Sequence, residues 1–378
     1  MTQNIVNEEI YTIGLDLGDT NSTLCVMDAK GRILTEATVE TTPTALTWKF
    51  RPMSRARIVL EACGQSNWIA GLLEKLGHEV HVANPRQLHL ITRSVKKTDR
   101  NDARLLARIG RLDLGLLQPT YRRGIAALST RTVLNARRNL VQVRTRLINS
   151  VRSAAKGFGH KLPTCGSDYF VKCASASLSP QLLELLQPLI DTLGFLQQQI
   201  ERYDADIERL GEKAFPQTAL LRPIHGVGPQ VALAFVAAID DPKRFRRSRD
   251  VGPYLGLTPR RDQSGDSDPK LPISKHGDGD TRSLLVSAAT HIMRKDAPDS
   301  ALKRFGRKLQ GPSPNPKLKA RARIAVARKL AVLMHRLLKT GEVYEPLYGA
   351  PPPKPQKRNK NTRVSATTEP RKLETTTA

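Results

Sequence analysis

Four acidic residues in the first hundred or so positions are arranged in a pattern that could bind divalent metal ions. Asp16 ends the run GLDLGD, Glu61 ends IVLE, and Asp99 and Asp102 lie in KTDRNDARLLARI. If that last segment is helical, its two carboxylates share one face. Clustered carboxylates repel one another unless cations neutralise them. Mg²⁺ prefers such hard oxygen ligands, so the set predicts a site for two Mg²⁺ ions, with Mn²⁺ as an alternative, flanking a scissile phosphate. Taken singly, each acid is equally typical of a turn or a helix cap.

Ser264, followed by Gly265, is a second candidate for chemistry. It lies in the turn-rich stretch TPRRDQSGDSDPKLPISKHGDGD. A serine hydroxyl needs activation to act as a nucleophile, and no His–Asp pair with hydrolase spacing or GxSxG elbow is present. The residues alone therefore leave the nucleophile open between Ser264 and four neighbouring hydroxyls, which are Thr258, Ser267, Ser274 and Thr281.

Several features of the chain predict contacts with nucleic acid. The turn around Gly226 and Gly228, in HGVGP, resembles a helix-hairpin-helix turn, whose backbone amides can hold a phosphate. An ordinary glycine-bearing helix connection is the alternative. Basic residues next to the candidate motifs are expected to bind phosphates, namely Arg100, Arg260, Arg261, Lys275 and Arg282.

The elements that must position these residues fall into four regions. Residues 10–115 alternate five β-rich runs with two helical runs, which predicts a mixed α/β sheet. Residues 118–215 are predicted to be helical, with a heptad seam from Leu182 to Leu210 and a kink near Pro188. An antiparallel hairpin and a dimerising coiled coil both fit that seam. Residues 218–345 are expected to form a mainly α domain, and residues 350–378 a disordered basic tail.

Composition narrows the class of protein. The chain has 378 residues, 61 Lys and Arg against 35 Asp and Glu, and a formal net charge of +26. Such a basic chain is expected to bind a polyanion. No apolar run approaches the roughly 20 residues that span a bilayer, which excludes a membrane protein. The four cysteines are far apart and the N-terminus lacks a basic signal-peptide region, so a cytoplasmic, nucleoid-associated protein is expected.

Two family resemblances begin at the same residues. GLDLGDTNST resembles the first phosphate loop of actin-like sugar kinases, but the only nearby candidate for their second loop, HGDGDT, has no predicted strand before it. The ordered set IGLDLGDTNST, LEACG, KTDRNDA, RPIHGVGPQVALAF, LTPRRDQSG and ISKHGD resembles the transposases of the insertion-sequence 110 family over nearly the whole chain.

The second resemblance implies an N-terminal ribonuclease-H-like (RuvC-like) DEDD domain and a C-terminal serine domain. It implies that Asp16, Glu61, Asp99 and Asp102 ligate the metals and that Ser264 joins covalently to DNA. It also implies double-stranded DNA partners at the element ends and target, a non-coding guide RNA, and a dimer or tetramer assembled through the coiled coil. Two alternatives remain: a junction-type endonuclease that uses water as its nucleophile, and a non-catalytic nucleic-acid-binding scaffold.

Overall fold

The computed structural model describes residues 11–85, 98–117, 119–269, 271–312 and 315–347. The chain divides into two compact units, residues 1–125 and 126–378. The predicted disordered tail lies outside the described residues. None of the described helices is long and apolar enough to cross a bilayer.

The first unit is built on a five-stranded sheet with the order β3-β2-β1-β4-β5. Strands β1, β2 and β3 are antiparallel neighbours, whereas β1, β4 and β5 run parallel. This topology confirms the predicted mixed α/β sheet and is compatible with a DEDD nuclease-like fold. The strands are β1 (Tyr11–Asp16), β2 (Asn21–Met27), β3 (Ile33–Glu40), β4 (Ala56–Glu61) and β5 (Glu79–Ala83). The helices are α1 (Pro43–Phe50), α2 (Ser66–Lys75), α3 (Asp99–Leu112) and α4 (Leu114–Leu117).

Helix α3 packs unusually close to the sheet because glycines stand at the contact. A Cβ on Gly14 of β1 would lie 2.0 Å from the carbonyl oxygen of Ala103 and 2.5 Å from the nitrogen of Ala107. A Cβ on Gly110 of α3 would lie 2.3 Å from Cγ2 of Val59 on β4. Real Cβ atoms do not approach other atoms so closely, so both positions require glycine.

The second unit begins with two long helices. The list of its helices is α5 (Ile125–Gly157), α6 (Phe170–Ser177), α7 (Pro180–Lys213), α8 (Pro229–Ile239), α9 (Val251–Tyr254), α10 (Gly279–Ile292), α11 (Ala301–Gln310) and α12 (Pro316–Thr340). Arg137 of α5 bonds Asp204 of α7 at 2.5 Å, and Arg144 of α5 bonds Gln197 of α7. One helix therefore runs antiparallel to the other within one chain. Helix α7 runs through Pro188 as one element.

Helix α8 forms the centre of the serine-bearing part of this unit. Every residue from Ala232 to Ile239 is buried, and the α8 side chains pack with apolar residues of α10 and α12. The α-helix expected directly before the HGVGP turn is instead a short 3₁₀ helix, Pro216–Leu220, followed by turns. Pro223 explains the difference, because proline cannot donate the backbone hydrogen bond that an α-helix needs.

Candidate active site

Two of the four predicted acids end neighbouring parallel strands. Leu15 of β1 pairs with Leu60 of β4, so Asp16 and Glu61 come one residue later at the same edge of the sheet. Adjacent strands lie about 4.8 Å apart, and alternate residues share a face. Gly14 contacts α3, so Asp16 lies on the α3 face, and the Val59 contact places Glu61 there by the same alternation.

The direction of α3 brings its first turn to that same edge. Gly110, near the end of α3, lies against Thr12 near the start of β1, whereas Ala103 lies against Gly14. The helix therefore runs opposite to β1, and its first turn, with Asp99 and Asp102, lies near the end of β1. Thr98, not Asp99, is the N-cap, since its hydroxyl accepts from the amide of Asn101 at 3.3 Å.

The donor set fits a hard divalent cation in its chemistry, because it consists of carboxylates at one end of one sheet face. Asp16, Glu61 and Asp102 are half-buried, and Asp99 is exposed. Within the described ranges, no three or more His, Cys, Asp or Glu side chains form a group that could hold a metal ion. The assembled two-metal site therefore stays a prediction.

A residue that sequence reasoning missed, Glu36 of β3, holds α3 against the sheet. Its carboxylate accepts two hydrogen bonds from Arg104, at 2.5 and 2.9 Å, and one from Nε of Arg100 at 2.8 Å. The hydrogen bonds from Arg104 and then Arg100 lower the pKa of Glu36 to about 2. Glu36 pairs with Cys25, which pairs with Gly14, so one row of residues crosses three strands beneath α3.

Ser264 lies at the exposed tip of a hairpin. Its amide donates to the carbonyl of Ser267 at 3.1 Å, and the amide of Ser267 donates back at 3.0 Å. Gly265 has a positive φ of 54°, whereas Asp266 does not have a positive φ. A positive φ at the first central residue alone is the pattern of a type II′ hairpin turn, which requires glycine there. Ser264 and Ser267 are therefore directly paired across one tight turn.

The base of this hairpin is closed by backbone contacts and by Arg282. The guanidinium of Arg282 donates to the carbonyls of Leu255 at 2.9 Å and His276 at 3.0 Å. A Cβ on Gly277 would lie 2.0 Å from the carbonyl oxygen of Tyr254, so the two ends of the loop are in tight contact. Arg282 thus joins the two ends of the loop, and its predicted contact with nucleic acid stays a prediction.

The other predicted nucleic-acid contacts have mixed surroundings. Arg260 and Lys275 are exposed, and exposed Arg261 lies 3.7 Å from Asp268. Arg100 is 64% exposed although it is ion-paired with Glu36.

The glycine turn is held against α10. Gly226 has φ of 83°, and a Cβ there would lie 2.8 Å from the carbonyl oxygen of Ala288. Gly228 is the N-cap of α8. The requirement for Gly226 is thus explained by packing, while the amides at the start of α8 remain a predicted phosphate contact.

Comparisons with known proteins match both parts of the chain. A transposase family, DEDD_Tnp_IS110, matches residues 13–159, and the family described as Transposase IS116/IS110/IS902 matches residues 218–304. The Coxiella burnetii transposase for insertion sequence element IS1111A is 25% identical over 89% of this chain and 92% of its own. The Yersinia enterocolitica transposase for IS1328 is 26% identical over 76% and 85%, and the Moraxella bovis pilin gene-inverting protein is 25% identical over 77% and 83%. The chain belongs to the IS110/IS116/IS902 family of transposases.

Proposed function

We propose that this protein is a metal-dependent DNA recombinase that excises and inserts its insertion sequence by cleaving and exchanging DNA strands. The observation that carries the proposal is the arrangement of Asp16, Glu61 and the first turn of α3 at one end of one sheet face. The net charge of +26 supports a polyanionic substrate. The inverting activity in the name of the Moraxella bovis relative is likewise a rearrangement of DNA.

The four carboxylates are proposed to hold two divalent ions, with Mg²⁺ as the expected metal. Such ions, when bound, stabilise charge on the attacking and leaving oxygens of a phosphate displacement. The role of the chain is to aim hard oxygen ligands from two strand ends and one helix turn at the same place. Glu36 and Gly14 keep α3 at the required distance, which makes them positioning residues.

Ser264 is proposed as the nucleophile. Its Oγ attacks a backbone phosphorus in line, the Oγ–P bond forms, and the bond from phosphorus to the 3′ oxygen breaks. In the net reaction, the proton of the Ser264 hydroxyl is transferred to the 3′ oxygen, which leaves as a hydroxyl. Because the serine–phosphate ester replaces one phosphodiester by another, rejoining needs no external energy source. In the reverse step, the 3′ hydroxyl of a different strand attacks this ester and releases Ser264. Exposure of Ser264 at a hairpin tip supports this role, since the nucleophile must reach a bulky DNA backbone.

The hairpin supplies a matched control for the nucleophile. Ser264→Ala should abolish a protein–DNA adduct on a cognate element end, detected by denaturing electrophoresis, whereas Ser267→Ala should retain it. Persistent adducts with Ser264→Ala would dismiss that serine. Hydrolysed ends without any adduct in the unsubstituted protein would favour the junction-type endonuclease that uses water.

The carboxylates are tested separately from the serine. Asp16→Asn and Asp102→Asn should each lower cleavage by at least about 100-fold, if each removes a ligand of the metals that stabilise the transition state. Unchanged recombination in both variants would favour the non-catalytic scaffold.

The guide RNA and the homo-oligomer are further parts of the proposal, supported by family membership. Sequencing the RNA that co-purifies with the protein, followed by recombination assays with and without that RNA, tests the guide. Sedimentation with and without DNA tests for a dimer or tetramer. Recombination by RNA-free protein would remove the guide from the proposal.

A further inference from the structure

The last two helices of the described residues carry a large excess of positive charge. From Ala301 to Thr340 the chain has 12 Lys and Arg and no Asp or Glu. Helix α12 lies beyond the matched serine-domain family, which ends at residue 304. Nothing assigned above to the serine or to the carboxylates accounts for this charge.

Part of that charge forms a stripe on α12. Lys317, Arg321 and Arg328 are spaced by four and seven residues, which places them within about 40° of one another on a helix and over about 16 Å of its length. All three are exposed, and the ion pairs found among the described residues do not include them. The stem of Arg328 packs over Gly252, since a Cβ on Gly252 would lie 3.2 Å from its Cγ.

The stripe continues onto a second basic segment, residues 242–250. His335 of α12 contacts the carbonyl of Pro242 at 3.0 Å, and the Lys339 ammonium donates to the carbonyls of Phe245 and Arg246 at 3.3 and 3.2 Å. These contacts hold the segment on α12. The exposed cations of the segment are Lys243, Arg246, Arg247 and Arg249.

The aromatic rings of this region are covered rather than open. The guanidinium of Arg244 lies 4.3 Å from the ring centre of Phe245 and 4.5 Å from that of Tyr254. The Lys329 ammonium lies 4.4 Å from the ring centre of Phe305. Proteins that bind single strands stack bases on open rings. A surface of exposed cations without open rings suits backbone phosphates of a duplex.

We infer that the stripe Lys317, Arg321 and Arg328, together with the exposed cations of residues 242–250, forms a basic platform that binds the phosphate backbone of double-stranded DNA without reading its sequence. This inference rests on the proposed function for the identity of the nucleic acid. Duplex DNA carries one negative charge per about 1.7 Å of its axis, so a stripe about 16 Å long faces enough phosphates for three contacts.

The test compares two triple variants of the full chain that lose the same charge. Lys317→Gln, Arg321→Gln and Arg328→Gln remove the stripe, and Arg146→Gln, Lys156→Gln and Lys161→Gln remove three exposed cations from the α5 region. Binding to a duplex without element sequences is measured by fluorescence anisotropy between 50 and 200 mM salt. Three lost contacts should make the plot of log affinity against log salt shallower by about 2.7, so about 40-fold less affinity is lost over that range.

The control triple should keep the unsubstituted slope. A charge-conserving triple, Lys317→Arg, Arg321→Lys and Arg328→Lys, should also keep it, which separates lost charge from lost packing. Equal slopes in the stripe variant and the unsubstituted protein, or equal changes in both Gln triples, would overturn the platform. A change seen only with structured RNA would overturn the choice of DNA. Adduct formation by the unsubstituted protein is measured in a separate assay. If no adduct forms, the proposed chemistry fails, but the comparison of salt slopes still tests the basic platform.

Discussion

Replacing Gly14 by alanine tests whether the close approach of α3 to β1 sets the geometry of the acidic site. The added Cβ would lie 2.0 Å from the carbonyl oxygen of Ala103 and 2.5 Å from the nitrogen of Ala107, and both of these atoms belong to the backbone. Helix α3 must therefore retreat by at least about 1 Å to restore an ordinary contact, and overpacking of this kind costs about 1–3 kcal/mol or more of unfolding free energy. Since α3 carries Asp99 and Asp102, the retreat also moves two of the four carboxylates away from Asp16.

The chain offers both a matched control and a selective probe. Gly71 lies inside α2 with nothing within 4 Å of an added Cβ, so Gly71→Ala should stabilise the protein by about 0.5–1 kcal/mol through helix propensity. The two tryptophans of the chain, Trp48 and Trp68, both lie in the first unit. Urea unfolding followed by tryptophan fluorescence therefore reports on the unit that contains the substitutions.

Opposite shifts of the two midpoints are the expected result. An unchanged midpoint for Gly14→Ala would refute the close-packing argument. Equal destabilisation by both substitutions would show that any alanine is harmful in this unit, and the argument would fail for that reason instead.

Three further predictions follow from the charged groups. The pKa of Glu36, near 2, lies below the usual value of about 4.3, so its contribution is present above that pH and is lost as pH falls towards 2. In Glu36→Gln, the urea midpoint followed by tryptophan fluorescence should therefore decrease less as pH falls than it does in the unsubstituted protein. An equal decrease in both proteins would contradict this. Burial lowers the pKa of His335 in the folded protein. As pH falls below about 6.5, this histidine therefore takes up a proton in the unfolded chain before it does so in the folded protein, and the free energy of unfolding decreases. His335→Gln should weaken this fall in thermal melts followed by circular dichroism, and equal pH slopes would argue against it. Arg282→Gln should loosen the loop that carries Ser264 and speed tryptic cleavage after Arg261. An unchanged cleavage rate would mean that the contacts of Arg282 with Leu255 and His276 are not needed to hold the loop.

The sequence predicted the elements of the site better than the contacts that hold them together. The five strands were each visible as β-rich runs, and the helical spacing of Asp99 and Asp102 is confirmed. Helix α1 was missed because only Leu46 and Phe50 of its side chains are buried and Trp48 is 79% exposed, so it lacks a clear apolar period. Its Thr42 cap followed by Pro43 was the available signal.

The role of Glu36 could not have been predicted from local pattern. Its partners Arg100 and Arg104 lie 64 and 68 residues away, and ion pairs at such separations leave no periodicity. Gly14 looked like an ordinary strand residue because a close approach of backbone to backbone appears only when both elements are placed. Arg282 has a second role that its place beside a candidate motif did not indicate, since it donates to two carbonyls at the base of a loop, while its contact with nucleic acid stays a prediction.

Charge balance around the first turn of α3 argues for cations at the acidic site. Four carboxylates contribute about four negative charges at neutral pH, and the N-terminus of a helix offsets only about half a charge. Arg100 and Arg104 add two positive charges, but Glu36 takes up one of them. The proposed convergence of four carboxylates is costly unless cations lie between them, and two divalent ions would relieve that repulsion.

Added Mg²⁺ should therefore raise the fluorescence-detected unfolding midpoint of the first unit, since a ligand bound only by the folded state stabilises it. Asp16→Asn should remove most of this increase. Asp113→Asn is the matched control, because Asp113 lies beyond the opposite end of the same helix and its hydrogen bond to the amide of Gly115 can be kept by an Asn oxygen. Equal responses to Mg²⁺ in the two variants would mean that the ion binds elsewhere, and the charge argument would then fail at its central step.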